Sequence, residues 1–353
     1  EPGITLPLVR MDQPGVVRDQ RHRPLGMPFP NGPHWGEVDI PVEDIIGGRD
    51  YAGRGWSPQL IDCLNIGRTI SLPASAAGMA RYSCRVTGGY AATRQQFGMQ
   101  LADMGGVQEP LARIGGLTYM IDAARLMALQ DLDLAHQRGE DARPAVASAI
   151  LKYHTTEAAR QVVIDAMDIH GGKAVMEGPN NPIAHLYQSL SIAITVEGHN
   201  LLTRNMMIIG QALGLAHPFT LKEMRAKTPE ESFDLLMQHA GKILSNARDS
   251  ASSQKKGKQT GPESEFYNNI DLLSAQFAIV MELSMVALQK NLPHNERVTG
   301  LLADTFSNLY LAAQVIRRWE LEGRQESDIP LMQWGVKNCL HKGETALHEL
   351  IDN

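Results

Sequence analysis

Apolar residues recur at helical spacing from Ser57 almost to the C-terminus, and at strand-like spacing only near the start. Leu117, Met120, Ile121, Ala124 and Ala128 make one stripe; Ala158, Val162, Ala166 and Ile169 make another. Each follows the 3.6-residue period of a helix that buries one face. Expected breaks fall at Gly88-Gly89, Gly105-Gly106, Gly139 to Pro144 and Gly171-Gly172, and Asn181-Pro182 reads as a cap followed by a first turn. Helices of roughly 25–30 residues joined by short turns predict an antiparallel up-down bundle.

The flanks have other textures. Residues 1–41 hold eight of the 19 prolines, with short β-like runs, GITLPLVRM and WGEVDIPV, among Pro/Gly turns. Two or three strands seldom stand alone, so this stretch is expected to be part of a β-barrel or β-domain. Thr228-Pro229-Glu230-Glu231 opens a further helix with cap, proline and acidic first turn. A polar linker, Asp249 to Glu265, precedes a stripe at Ile270, Leu273, Phe277, Met281, Met285 and Leu288 that Pro293 should stop. Helices at Glu296–Glu322 and Ile329–Ile351 are expected after it. The predicted organisation is mainly α: 1–50 a partial β-domain, 51–218 a helical bundle, and 219–353 a second helical module without legible chemistry.

Composition narrows the function. A net charge of −6 argues against a nucleic-acid partner. Cys63, Cys84 and Cys339 match neither disulfide nor zinc spacing and read as small core residues of a reducing compartment, hence a cytoplasmic location. No apolar run is expected to reach the roughly 18 residues of a membrane span. Lys255, Lys256 and Lys258 form a basic cluster in the linker, either a solvated spacer or an attraction toward an anionic membrane surface.

No Gly-rich phosphate loop follows a strand, and no nucleophile elbow appears. His154, His170, His185 and His199 do not pair with acids at ligand spacing, so no metal is expected. The segment SIAITVEGHNLLTR places one acid, Glu197, between two apolar helices. Gly198 permits a sharp turn beside it, and Asn200 is the expected cap of the next helix. Spacing alone leaves Glu197 either a helix-end surface acid or a base at the mouth of an apolar cavity.

Four motifs occur in order: Tyr90-Ala-Ala-Thr-Arg94-Gln-Gln-Phe97-Gly98; Gln108-Glu109 with Arg113; Asp168-Ile-His-Gly171-Gly172; and Glu197-Gly198-His199-Asn200 followed by Arg204. Together they resemble the C-terminal helical domain of the acyl-CoA dehydrogenase family. GEVDIPVEDIIG resembles the exit from that family's central β-domain, and residues after 219 resemble the extra module of long bacterial fatty acyl-CoA dehydrogenases.

The resemblance implies FAD as cofactor, an acyl-CoA substrate, electron-transfer flavoprotein or an equivalent acceptor, and a homo-oligomer. It implies α,β-dehydrogenation of medium- or long-chain acyl-CoA in fatty acid β-oxidation, with an acyl-CoA oxidase or a non-catalytic scaffold as alternatives. Glu197 occupies the family's base position. Arg94 and Phe97 match residues that touch the FAD of a neighbouring subunit. Asp168, Gly171, Gly172 and His199 match further cofactor contacts; Arg68 and Gly198 match the substrate side. Asp168 departs from the usual Gln, an acid that pyrophosphate would repel. Peripheral association with the inner membrane is compatible with such a role.

Overall fold

Three long helices carry the site, and their hydrophobic stripes account for how they meet. The computed structural model describes residues 3–27, 32–140, 144–251, 261 and 263–352. In chain order the first helices are α1 (Ile61–Thr69), α2 (Ser71–Thr93), α3 (Gly105–Gln137) and α4 (Ala145–His170). They are followed by short α5 (Gly172–Val175), α6 (Ala184–Thr195), α7 (Asn200–Leu202), a π-helical turn Thr203–Met207 and α8 (Ile208–Gln211). α2, α3 and α4 pack on one another, and α6 lies across α4. Leu117, Met120, Ile121, Ala124 and Ala128 are buried, as are Ala158, Val162 and Ala166.

Gly88-Gly89 is not a break. α2 runs through both glycines, which lie exposed. Each weakens a helix by ~1 kcal/mol relative to alanine, less than the packing of the whole helix returns. Gly105-Gly106, by contrast, marks a real boundary: α3 begins at Gly105 after extended Met104. α6 begins two residues later than Asn181-Pro182 suggested, with Ile183 at its N-cap, but the Asn181 side-chain oxygen still accepts the amides of Ile183 and Ala184, both at 3.0 Å.

Before the bundle, β1 (Val16–Arg18) pairs antiparallel with β2 (His34–Gly36), Val16 opposite Gly36. The run at 3–11 makes a short bridge to residues 44–46 instead, through Leu8 N–H to Asp44 O (2.8 Å) and Ile46 N–H to Leu6 O (2.9 Å). Pro7, opposite Ile45, has no amide hydrogen to extend that ladder. A second small hairpin, β3 (Gln95–Gln96) with β4 (Met99–Gln100), caps the end of α2.

The second half comprises α9 (Thr220–Arg225), α10 (Pro229–Ala251), α11 (Ser264–Leu288), α12 (Glu296–Leu321) and α13 (Ile329–Ile351). Thr228 Oγ1 accepts the Glu231 amide at 3.2 Å, and Glu231 reaches back to the Lys227 amide at 2.9 Å, closing the expected start of α10. α10 continues to Ala251, past the expected start of the linker. Lys255, Lys256 and Lys258 lie outside the described residues. One stretch, Ser264–His294, is long and apolar enough to cross a membrane by length and composition, contrary to expectation; its Phe266, Leu273 and Met281 face the core.

α12 and α13 pair along their lengths and both pack on α3. At Gly116 of α3 a Cβ would lie only 1.9 Å from the Trp334 ring of α13, so glycine permits that approach. Arg204, beyond the Glu197 loop, forms an ion pair with Asp304 of α12 at 2.6 Å. Cys339 is buried against Met120, Cys84 is half-buried, and Cys63 is exposed, not in the core as expected.

Candidate active site

α6 stops at Thr195 because the next residues leave helical geometry. Val196 is extended, Glu197 has φ 55° and Gly198 φ 94°. A left-handed backbone costs a non-glycine residue ~1–2 kcal/mol, so the surroundings must hold Glu197 there. Two cations do so. Arg68, 4 % exposed in α1, donates from Nε to the Glu197 carbonyl at 2.6 Å. Lys152 of α4, wholly buried, donates from Nζ to Gly198 O (2.5 Å), Asn200 Oδ1 (2.5 Å) and Ile194 O (3.3 Å).

Asn200 therefore has a different task from the capping expected of it. It is buried, and its amide donates to Thr156 Oγ1 (3.0 Å) and Glu157 Oε1 (2.7 Å) while accepting from Lys152. His199 is the cap instead, accepting the Leu201 amide through Nδ1 at 3.2 Å. The histidine expected at the cofactor is an exposed residue that opens the helix.

The Glu197 carboxyl packs against backbone. A Cβ on Gly67 of α1 would stand 2.9 Å from each of its oxygens. Oε2 is buried without a hydrogen-bond partner. Burial raises the Glu197 pKa above the ordinary carboxylate value, with Arg68 and Lys152 opposing that shift. Burial also pushes the Lys152 ammonium down to about 8, Arg68 adding to the effect. An unpartnered carboxylate with a raised pKa is suited to accept a proton from a weak carbon acid.

The other expected residues gather elsewhere. Arg94 follows α2, and Phe97 with Gly98 forms the β3–β4 turn, at φ 53° and 80°. Two consecutive positive φ values make a tight hairpin turn that projects its tip; Phe97 is 94 % exposed. Asp168, Gly171 and Gly172 lie exposed where α4 ends. The two helix ends touch: Tyr90 stacks on His170 with centroids 4.3 Å apart, and Lys173 Nζ lies 5.0 Å above the Tyr90 ring. Asp168 lies within the field of Arg113, which forms a bidentate pair with Asp165 at 2.7 and 2.8 Å.

Arg68, Gly198 and Glu197 thus come together at one end of the bundle, and Arg94, Phe97, Asp168, Gly171 and Gly172 at the other. The 23 residues of α2 separate Arg68 from Arg94 by about 35 Å at 1.5 Å per residue.

Lys152 was not singled out in the sequence. For Lys152 a signal exists: it lies on the buried face of α4 with Ser148, Thr155 and Ala159 at helical spacing. A lone lysine on such a face needs acceptors. Nor were His217, His239 and Glu282 singled out, although the fold brings them together with ligating atoms within 4.8 Å of one another.

The sequence model "Acyl-CoA dehydrogenase, C-terminal domain" matches residues 53–213, and "Acyl-CoA dehydrogenase, C-terminal, bacterial type" matches 215–353. The mitochondrial very long-chain specific acyl-CoA dehydrogenase of Mus musculus is 26% identical over 318 residues, covering 89% of this chain and 47% of that protein. Protein HemX of Proteus mirabilis is 44% identical over 88 residues, 25% of this chain and 51% of that protein. The chain thus spans about half the length of the curated relatives it matches. A solved acyl-CoA dehydrogenase of Bacillus anthracis, described as complexed with FAD, shares the fold at TM-score 0.74 and 20% identity, covering 99% of this chain and 59% of that one. Two adjoining family matches over the bundle and the module after it, with a shared fold across nearly the whole chain, establish that this chain belongs to the acyl-CoA dehydrogenase family.

Proposed function

We propose that this chain supplies the proton-abstracting half of a FAD-dependent fatty acyl-CoA dehydrogenase. The reaction is α,β-dehydrogenation of a medium- or long-chain acyl-CoA to the trans-2-enoyl-CoA in β-oxidation, with electron-transfer flavoprotein or an equivalent acceptor taking the electrons. The observation that carries this reading is Glu197: a half-buried carboxyl with an unpartnered oxygen and a raised pKa, at a break between helices.

The Glu197 carboxylate accepts the α-proton of the thioester. Half-burial limits competing hydrogen bonds from water and brings the carboxyl's pKa nearer the working pH. As the thioester oxygen gains enolate character, the backbone N–H at Glu197 is the donor this chain would offer it. Arg68 and Lys152 hold the loop so that the carboxylate does not turn away. A bound FAD would supply the hydride acceptor for the β-carbon.

The residues present fit that group. Phe97 is free to lie against an adenine and Arg94 to meet pyrophosphate, both being exposed. Neither ring nitrogen of His170, beneath the Gly171-Gly172 turn, has a hydrogen-bond partner. Asp168 is a poor match for an anion, though it lies within the field of Arg113; Val196, His199 and Gln188-Ser189 also depart from the residues usual in the family. Because these residues sit at the opposite end of the bundle from Glu197, the flavin they touch belongs to another subunit's site, and the working enzyme is at least a dimer. Location in the cytoplasm, with peripheral attachment to the inner membrane, belongs to the same proposal.

The test is the visible spectrum of the protein carrying its flavin domain. Palmitoyl-CoA should bleach the flavin bands anaerobically, and Glu197→Gln should abolish bleaching while leaving flavin bound. Unchanged bleaching in the variant would refute the assignment of the base. Peroxide formation at the rate of turnover in air would favour an acyl-CoA oxidase.

A further inference from the structure

Where the bundle meets α9, α10 and α11 lies a cluster that the dehydrogenation does not use. His217 stands in the turn before α9, His239 in the middle of α10 and Glu282 in the last third of α11. Glu282 Oε1 lies 3.0 Å from His217 Nε2 and 2.7 Å from His239 Nε2. Glu223 of α9 lies 2.8 Å from the other nitrogen of His239. The three side chains are only 12%, 10% and 15% exposed for His217, His239 and Glu282. Phe219 stacks on His239 at 4.7 Å, and an apolar cavity of about 310 Å³, walled by Leu213, Phe277, Met281 and Phe306, opens beside the cluster.

We propose that His217, His239 and Glu282 form a binding site for a divalent transition-metal ion of the zinc class, tying the start of α9 to α10 and α11. Two imidazoles and one carboxylate are a borderline donor set that suits zinc over calcium or magnesium, which prefer all-oxygen shells. Three protein ligands leave a fourth position, and the adjoining cavity has room for a water or a small anion there. Glu223 on the far nitrogen of His239 is the carboxylate partner that fixes the ring and raises the basicity of a metal-bound histidine. A divalent ion would also neutralise Glu282 and Glu223 together; Lys242, the other cation lining the cavity, is exposed.

The present separations are those of hydrogen bonds. Metal–ligand bonds of about 2.0–2.1 Å in a tetrahedron put ligand atoms about 3.3 Å apart, so the cluster must open by roughly half an ångström. Protons must also move. Both nitrogens of His239 face carboxylates, so metal on its Nε2 displaces a proton from that nitrogen to solvent, and His217 must shift its own. His217 Nδ1 now accepts from the Thr220 amide at 3.0 Å and the Phe219 amide at 3.3 Å, which places the ring proton on Nε2, facing Glu282. Metal on Nε2 transfers that proton to Nδ1, where Thr220 Oγ1, 2.7 Å away, can accept it. The two amides must then turn aside, so loading the site reorients the first turn of α9. The same nitrogens bind protons, and affinity therefore weakens as pH falls.

The experiment titrates the chelator-treated full chain with Zn²⁺ by calorimetry, and with Co²⁺ by visible absorption. The expected result is one ion per chain, a cobalt spectrum of low coordination number, and a rise in thermal stability that chelator reverses. His239→Gln and Glu282→Gln should each weaken binding at least ~100-fold, and Glu223→Gln, which touches only the outer partner, ~10–100-fold. His185→Gln, at an exposed histidine elsewhere, should leave it unchanged. If His239→Gln fails to fold, Glu223→Gln still decides. Absence of saturable 1:1 binding, or equal affinity in wild type and Glu223→Gln, would overturn the site.

Discussion

Lys152→Met asks whether the base loop is held by one buried ammonium. Its three acceptors, Ile194 O, Gly198 O and Asn200 Oδ1, straddle Glu197, so a single group pins both sides of the left-handed residue. Methionine keeps most of the stem's volume and removes the charge. Each charge-assisted hydrogen bond contributes ~1.5–3 kcal/mol, but the buried ammonium also carries a desolvation cost that methionine relieves. The net stability loss should therefore be only ~1–3 kcal/mol, and the variant should fold. Catalysis should suffer more, because a carboxylate displaced by ~1 Å loses ~10²-fold in rate. Stopped-flow reduction of the flavin by acyl-CoA, in the protein carrying its flavin domain, should show that loss in the rate of reduction with little change in substrate affinity. The pH profile separates positioning from general destabilisation. With Lys152 held at about 8, the wild-type rate should decline as the ammonium loses its proton above that pH. Lys152→Arg, if accommodated, stays charged and should carry activity to higher pH; Lys152→Met should be slow at all pH and lack the alkaline step. A near-normal reduction rate in Lys152→Met, or an alkaline step that survives it, would refute the reasoning.

Glu197→Gln should reduce flavin reduction ~10²–10⁴-fold with flavin and acyl-CoA still bound, read by single-turnover kinetics and equilibrium binding. Gly67→Ala should separate activity from stability. Alanine favours α1 by up to ~1 kcal/mol, yet its Cβ would meet both Glu197 oxygens at 2.9 Å and displace the base, so the rate should fall ~10²-fold with the melting temperature unchanged or raised. The acid limb of kcat/KM should lie above the ordinary carboxylate range: burial raises the Glu197 pKa, only the carboxylate form is active, and the rate therefore climbs as pH rises through that value. Arg94→Ala, at an exposed position, should lower flavin retention while leaving the melting temperature of the flavin-free protein unchanged, and sedimentation should find at least a dimer.

How much of this was legible follows from where each signal resides. Helices and their buried faces are written in local periodicity, and α3, α4, α12 and α13 lie within a residue or two of where their stripes and caps put them. Gly88-Gly89 misled because glycine permits a turn without requiring one; α2 has two packed neighbours to hold it straight. Glu197 could be marked as a junction acid, since Gly198 beside it permits the turn. What holds its loop is written elsewhere: Arg68 lies 129 residues upstream and Lys152 lies 46 residues before the Gly198 carbonyl it grips. No local window contains those contacts, and they exist only once α1, α4 and α6 have packed. The same holds for His217, His239 and Glu282, separated by up to 65 residues yet sharing one carboxylate oxygen. Asn200 shows the converse error. Its type and position fit a cap, but a buried ammonium needs acceptors, and Asn200 answers that need while the exposed ring of His199 caps the helix in its place. Local preference yields where a buried charge would otherwise go unpaired, and a site built on such charges is the part of a chain that local pattern reads least well.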